Sequence, residues 1–256
     1  MLERVRQLLA ERPSGELSGD DRSLELPTEI PDLAHEQRDI HEADDALERT
    51  FGRDMPRTAV QPRRVVSIKG MGRVYDFRGT GLCPPVLSNG RPVRITPVIF
   101  LHHIPVIRNV AGSGDLITLG NVLRAQRLNV HNGTDSEGNV ALFTGMNQLC
   151  YHARGANSIS IGAEHMHLTI GEEWSEKQMR AAAYVAWRAF HYYGVPLQSA
   201  KLGAGSGFVS VHKRGHTTHR IEADMAGFRD RSDPGPGFHR GHVYELAAFY
   251  DKHHRF

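Results

Sequence analysis

The stretch VRITPVIFLHHI, residues 93–104, decides the fold. Its β-branched and aromatic residues predict a strand, and we expect this strand at the centre of a sheet. Two histidines, His102 and His103, end it. Because successive side chains of a strand point to opposite faces of the sheet, only one of the pair can share a face with Val98 and Phe100. At most one of these histidines should therefore point into any given site.

Strand and helix signals alternate along the chain from about residue 64. The clearest helix is SEKQMRAAAYVAWRAFHYYG (175–194), where Ser175 and Gln178 form a capping box and Gly194 follows the last turn. The other segments are predicted as strands at 64–68 and 158–169, a hairpin within 128–143, and helices at 113–128 and 242–253. This alternation predicts an α/β fold with a mixed central β-sheet flanked by helices.

Residues 1–63 differ from the rest of the chain in composition. Charged stretches alternate there with breaker-rich ones such as ERPSGELSGDDRSLELP, and large apolar residues are few. One apolar stripe with helical spacing lies on an otherwise charged segment and consists of Leu33, Ile40, Leu47 and Phe51. We therefore predict a charged, partly helical N-terminal extension (1–63) followed by a folded domain (64–256).

Composition restricts the class of protein. No apolar run approaches the roughly 20 residues that span a bilayer, and the first 11 residues carry charges throughout, unlike a secretory signal. We expect neither membrane insertion nor a signal peptide. The net charge of +2 gives little reason to expect a nucleic-acid partner. Cys83 and Cys150 lie in different segments without a CxxC motif, which predicts two buried thiols and no disulfide framework.

Three segments supply the residue types of a zinc hydrolase, which needs about three protein ligands and a nearby proton carrier. The first is the histidine pair that ends the strand at 93–104. The second is GHTTHRIEADMAGFRDRSDPGPGF (215–238), a stretch with His216, His219 and Asp233 whose irregular composition argues against a helix. The third is NSISIGAEH (157–165), where Glu164 follows a predicted strand.

The order and wording of these segments resemble the zinc-dependent N-acetylmuramoyl-L-alanine amidases of the type-2 amidase and peptidoglycan-recognition superfamily. The family carries HAGxxNxxSIGIE where this chain has HARGANSISIGAEH (152–165). The family pattern and this chain also share a strand-ending HH and a closing DPGP turn. The resemblance covers about residues 93–250. It implies hydrolysis of the amide bond between N-acetylmuramic acid and L-alanine in peptidoglycan, which would be the partner of the chain.

The resemblance also implies a set of site residues. Zinc would be held by His102, His219 and Asp233. Glu164 would carry the proton and Arg231 would help to stabilise the oxyanion, at a position where the family normally has lysine. The remaining motif matches, His152 and Asn157, are candidates for substrate binding.

Two departures from the family pattern affect these assignments. His219 and Asp233 are 14 positions apart, a few more than is usual, so a short loop is inserted at EADMAG and His212 or His216 remains an alternative second ligand. The chain has Val130 where some members use a tyrosine, so Glu164 would act as the general base without it.

The biological setting follows only from the resemblance. The chain is similar to phage endolysins, which implies a protein made in the cytoplasm that acts on the cell wall after release by a holin-type route. Two alternatives stay open: an amidase on the same fold that recycles soluble muropeptides, and a non-catalytic module that binds peptidoglycan. The oligomeric state also stays open.

Overall fold

A computed structural model describes residues 60–104, 113–167, 173–228 and 231–253. The predictions made for residues 1–59, including the apolar stripe of the extension, lie outside the described residues. Among the helices described, none combines the length and the hydropathy that crossing a membrane requires.

The described residues alternate between short strands and helices, as the sequence pattern predicts. The strands are β1 (Arg64–Ser67), β2 (Arg73–Asp76), β3 (Leu87–Ser88), β4 (Arg91–Pro92), β5 (Ile99–His103), β6 (Asn132–Thr134), β7 (Val140–Leu142), β8 (Ser160–His165), β9 (Lys201–Gly203), β10 (Ser210–Lys213) and β11 (Gly215–Thr218). The helices are α1 (Ser113–Ala125), α2 (Glu176–Tyr193), α3 (His219–Ala226) and α4 (Arg240–His253).

Seven strands form one mixed sheet in the order β1-β2-β7-β6-β8-β5-β11. Strand β5 is parallel to both of its neighbours, β8 and β11, whereas β6 and β7 form the antiparallel hairpin expected around Gly138. The sequence places β5 at the centre of the sheet, but it lies one strand in from the edge. All five of its residues are nevertheless buried, because helices cover both faces of this part of the sheet.

Helix α2 shows why local sequence signals succeed here. The Ser175 side chain accepts a hydrogen bond from the Gln178 backbone N–H at 3.1 Å, which is the Ser175 half of the predicted capping box. The Gln178 side chain instead donates to the Met166 carbonyl at 3.0 Å. Gly194 has a left-handed φ of 65°, and its N–H donates to the Phe190 carbonyl at 2.9 Å. The apolar side of α2 then packs on the sheet.

The two faces of the sheet have different cores. On one face, α2 and α4 pack against Phe100, Ile161 and Ala163. On the other face, α1 packs through residues such as Leu119 on the hairpin, and α3 packs near Leu101. Strand β5 contributes to both cores because its side chains alternate, and its last two residues therefore belong to different layers.

Candidate active site

The two histidines at the end of β5 lie in separate clusters on opposite faces of the sheet. His103 faces the layer of α3 and comes together with His219 and Asp233, with one potential ligand atom from each residue within 4.8 Å of the others. We call these three residues the metal-ligand cluster. His103 and Asp233 are buried, and His219 is half-buried.

Local structure fixes the positions of His219 and Asp233. Strand β11 runs directly into α3, and the Thr218 side chain caps the helix by accepting a hydrogen bond from the Ile221 N–H at 3.3 Å. His219 is thus the first residue of α3, and its Nδ1 lies 3.2 Å from Oδ1 of Asp233. Oδ2 of Asp233 accepts a hydrogen bond from the Ile104 backbone N–H at 3.1 Å, which holds the carboxylate at the end of β5.

The ligand assignment of His102 needs correction, because its side chain points away from this cluster. Its Nδ1 lies 3.0 Å from Nε2 of His165, and its Nε2 lies 3.3 Å from Nδ1 of His216. The ring is fully buried between the sheet and Phe238, on the side covered by α2 and α4. Side-chain alternation gives the physical reason: the residue that shares a face with Phe100 cannot also reach Asp233.

The alternatives to His219 lie elsewhere. His216 is buried in the chain of histidines around His102, and His212 is exposed on β10. Of these three residues, the structure brings His219 to Asp233. The expectation of an irregular loop in this segment is wrong, because the eight residues HRIEADMA form α3, which ends at Gly227 with a left-handed φ of 90°.

The histidine chain on the opposite face has a consequence for stability. It runs from the Thr134 hydroxyl through His165 and His102 to His216. Burial lowers the pKa of His165 to about 3 and that of His216 to about 3. Both imidazoles are therefore neutral in the folded protein at every pH above that value.

We expect acid to destabilise the metal-free protein well above pH 3. Below pH 6.5 the unfolded chain protonates His165 and His216 while the folded chain does not. The contribution of these two histidines to the free energy of unfolding is therefore fully present above pH 6.5 and is lost as the pH falls toward 3. Each such histidine contributes a slope of about 1.4 kcal/mol per pH unit. Urea denaturation in chelator at pH 7, 6 and 5 measures it. His216→Leu should reduce the dependence of unfolding free energy on pH by the contribution of one histidine, about 1.4 kcal/mol per pH unit. An unchanged pH dependence would contradict this account.

His103 carries one nitrogen that has a partner and one that does not. Its Nε2 lies 3.1 Å from Nδ1 of His152, whereas its buried Nδ1 has no hydrogen-bond partner among the described residues. Burial, and then the positive charge that His219 can carry, hold the pKa of His103 well below its usual value. A neutral imidazole with an unused nitrogen is the form that binds a metal ion.

His152 and Asn157, the candidates for substrate binding, both have partners within the chain. His152 is buried, and its Nε2 lies 3.3 Å from the Ser160 hydroxyl. Asn157 accepts hydrogen bonds from the backbone N–H groups of His152 and Ala153 at 2.9 and 2.7 Å, which holds the loop of residues 152–157 (the motif loop). A Cβ at position 162 would collide with the His152 ring, which explains why the motif needs Gly162.

Glu164 lies next to the metal-ligand cluster. It is the register partner of His103 on the neighbouring parallel strand, so the two side chains share a face. Burial, and then the negative charge of Asp233, raise the pKa of Glu164 to about 8, although the positive charge of Arg231 opposes the rise. A cation held by the cluster would also oppose the rise by its charge.

Residues 92–236, more than half of the chain, match the model of a family described as N-acetylmuramoyl-L-alanine amidase. The chain belongs to the N-acetylmuramoyl-L-alanine amidase family. The match covers β5, β8, β11, α3 and all three residues of the metal-ligand cluster. No curated protein sequence matches the chain.

Several solved structures resemble this amidase-family chain. The hydrolase AmiA of Staphylococcus aureus, in complex with its ligand, is 17% identical with a TM-score of 0.48, over 73% of this chain and 91% of that one. LysC of Clostridium intestinale is 15% identical with a TM-score of 0.45, over 70% and 97%. Wild-type PGRP-LB of Drosophila is 16% identical with a TM-score of 0.44, over 72% and 96%.

The donor set of this amidase-family chain fits zinc. Two imidazoles and one carboxylate form a set that catalytic zinc sites use, with a fourth position left for water or substrate. The unpartnered buried Nδ1 of His103 supports this fit, because a buried polar atom without a partner is costly unless something binds it. His103 itself could have been identified from the sequence only by knowing which face of β5 carries the site.

Sequence reasoning also missed Glu222, a buried carboxylate on α3. Its Oε1 accepts a hydrogen bond from the Gly155 backbone N–H at 3.0 Å and so ties α3 to the motif loop. Burial raises the pKa of Glu222, while the charges of His219, Arg154 and Arg231 oppose the rise. Glu222 lies one helical turn after His219, and that spacing is the available signal once this segment is recognised as a helix.

Proposed function

We propose that the chain is a zinc-dependent amidase that hydrolyses the amide bond between the lactyl group of N-acetylmuramic acid and L-alanine in peptidoglycan. The observation that carries this proposal is the cluster of His103, His219 and Asp233 with Glu164 beside it on the same face of the sheet. The cluster supplies three ligands, and Glu164 supplies a carboxyl group able to exchange a proton. Membership of the amidase family supports the choice of bond.

The roles of the residues follow from their chemistry. Zinc bound at the cluster would polarise the scissile carbonyl and make water more acidic. Glu164 accepts a proton from the attacking water as the new C–O bond forms, and it delivers that proton to the L-alanine nitrogen as the C–N bond breaks. The products are the lactyl carboxylic acid and a free peptide amine. Arg231 places a positive charge in this region, which favours the negative oxygen of the tetrahedral intermediate.

Digestion of purified peptidoglycan tests the bond that is cleaved. We expect new N-terminal L-alanine, no new reducing sugar ends, loss of activity in chelator and recovery on addition of zinc. The reason is that a glycosidase needs a pair of carboxyl groups facing one sugar bond, whereas Asp233 lies against His219 and Ile104. New reducing ends in a chelator-resistant reaction would show that the proposal is wrong.

The proposal extends to a lytic, endolysin-like role on intact cell walls. The basic sequence pI of about 8.6 suits a protein that acts on an anionic polymer. Comparing rates on intact sacculi and on soluble muropeptides tests this role. Faster cleavage of intact sacculi is the expected result, and activity confined to soluble fragments would instead indicate recycling.

A further inference from the structure

His103 can bind a metal ion through Nδ1 only if its proton resides on Nε2. A neutral imidazole has one N–H donor and one nitrogen with a lone pair, and its surroundings decide which nitrogen is which. Nε2 of His103 faces Nδ1 of His152 at 3.1 Å, and Nδ1 of His103 is the unpartnered atom. The tautomer of His103 therefore depends on whether His152 presents a donor or an acceptor.

Ser160 determines the tautomer of His152. Its hydroxyl donates to the Ala156 carbonyl at 2.6 Å, so the single hydroxyl proton is already used. The hydroxyl oxygen can then only accept from Nε2 of His152, which lies 3.3 Å away. With its proton on Nε2, His152 has a lone pair on Nδ1 and accepts a hydrogen bond from Nε2–H of His103. The lone pair of His103 is thereby left on Nδ1.

The surroundings of His152 keep its ring in this orientation. Asn157 binds the backbone N–H of His152, and the absence of a side chain at Gly162 leaves the space that the ring fills. The ring meets His103 edge-on, at an interplanar angle of 88°. A buried ring held on these sides keeps its two nitrogens in place, so the hydrogen-bond direction is a fixed property of the fold.

We propose that His152 is a positioning residue that sets the tautomer of His103 and so prepares its Nδ1 for zinc. This inference deepens the proposed function and rests on it for the metal. It assigns to the histidine of the HARGAN segment a role inside the protein instead of contact with substrate. Residues that orient a metal ligand in this way typically contribute 10- to 100-fold to metal affinity.

Zinc affinity of two matched variants tests the proposal. His152→Leu removes the acceptor and keeps the bulk, and competition with a chromophoric chelator should show affinity reduced about 10- to 100-fold. His152→Asn places an amide oxygen near the position of Nδ1 and should retain most of the affinity. His216→Leu, a buried histidine on the opposite face, serves as the control and should leave the affinity unchanged.

The ring nitrogen shifts of His103 give a readout that needs no metal. We expect ¹⁵N-histidine NMR of the metal-free chain, with the His103 signals assigned by their loss in His103→Gln, to place the ring proton of His103 on Nε2. In His152→Leu this proton should be shared between Nε2 and Nδ1. If His152→Leu fails to fold, Ser160→Ala provides the test, because it removes only the hydroxyl that orients His152 and should produce the same spread.

The outcomes separate the two proposals. A folded His152→Leu that keeps both its zinc affinity and the Nε2–H tautomer would overturn the positioning role. If the unaltered chain bound no zinc at all, the proposed function would fail, and the NMR measurement would still decide whether His152 sets the tautomer of His103.

Discussion

His103→Ala should remove zinc from the protein and reduce the amidase activity to background, whereas His102→Ala should leave one zinc per chain. The structure separates these adjacent residues by a whole layer: His103 lies with His219 and Asp233, and His102 lies with His165 and His216. Loss of one of three protein ligands leaves too few donors for a stable site. Metal analysis after gel filtration measures the zinc content of both variants.

Stability measurements serve as the control for this pair of variants. His102 is fully buried, and its truncation leaves Nε2 of His165 and Nδ1 of His216 without their hydrogen-bond partner, so His102→Ala should be the less stable protein. The expected pattern is thus that His102→Ala is destabilised but keeps its zinc, whereas His103→Ala has no zinc. The reverse pattern would return His102 to the ligand set and would contradict the geometry of β5.

Glu164→Gln should fold, bind zinc and lose about 10²- to 10⁴-fold in kcat, the range typical for a general base. The amide preserves the shape of the side chain but cannot accept the proton from water. Glu164 is the register partner of His103 and the one acidic residue of β8, so no other carboxylate on this strand can replace it. Release of free L-alanine amine from peptidoglycan, together with metal analysis, measures the two properties separately.

Glu222→Gln is the matched control for Glu164→Gln. Glu222 is also a buried carboxylate near His219, but its Oε1 accepts a hydrogen bond from the Gly155 N–H, and an amide oxygen can do the same. We expect this variant to keep nearly all of its kcat. A near-normal rate for Glu164→Gln, or equal losses in both variants, would remove Glu164 from the reaction.

The elements that sequence patterns predict well are those whose signals are local. Ser175, Gln178 and Gly194 mark both ends of α2 because cap chemistry acts within a single turn. The alternation of strand and helix signals along the sequence is sufficient to predict a mixed sheet flanked by helices. The position of β5 near one edge of the sheet could not be predicted in this way, because strand order depends on pairings between segments far apart in the chain.

The choice between His102 and His103 shows where local reasoning ends. Alternation along β5 allows one histidine per face, but the pattern does not say which face carries Asp233. That information lies in the path of the chain after β11, where Thr218 starts α3 and turns His219 toward His103. The sequence does not reveal this helix because it is only eight residues long and its caps lie among other turn-forming residues.

The sequence distances within the metal-ligand cluster determine when the site forms during folding. The hydrogen bond from the Ile104 N–H to Asp233 joins residues 129 positions apart. Closing so long a loop costs entropy before any contact compensates for it, so a contact over this sequence distance forms late. A nascent chain that has not yet released Asp233 from the ribosome holds no complete ligand set. Zinc bound at this cluster would therefore not guide the early steps of folding and would stabilise only the finished domain by mass action.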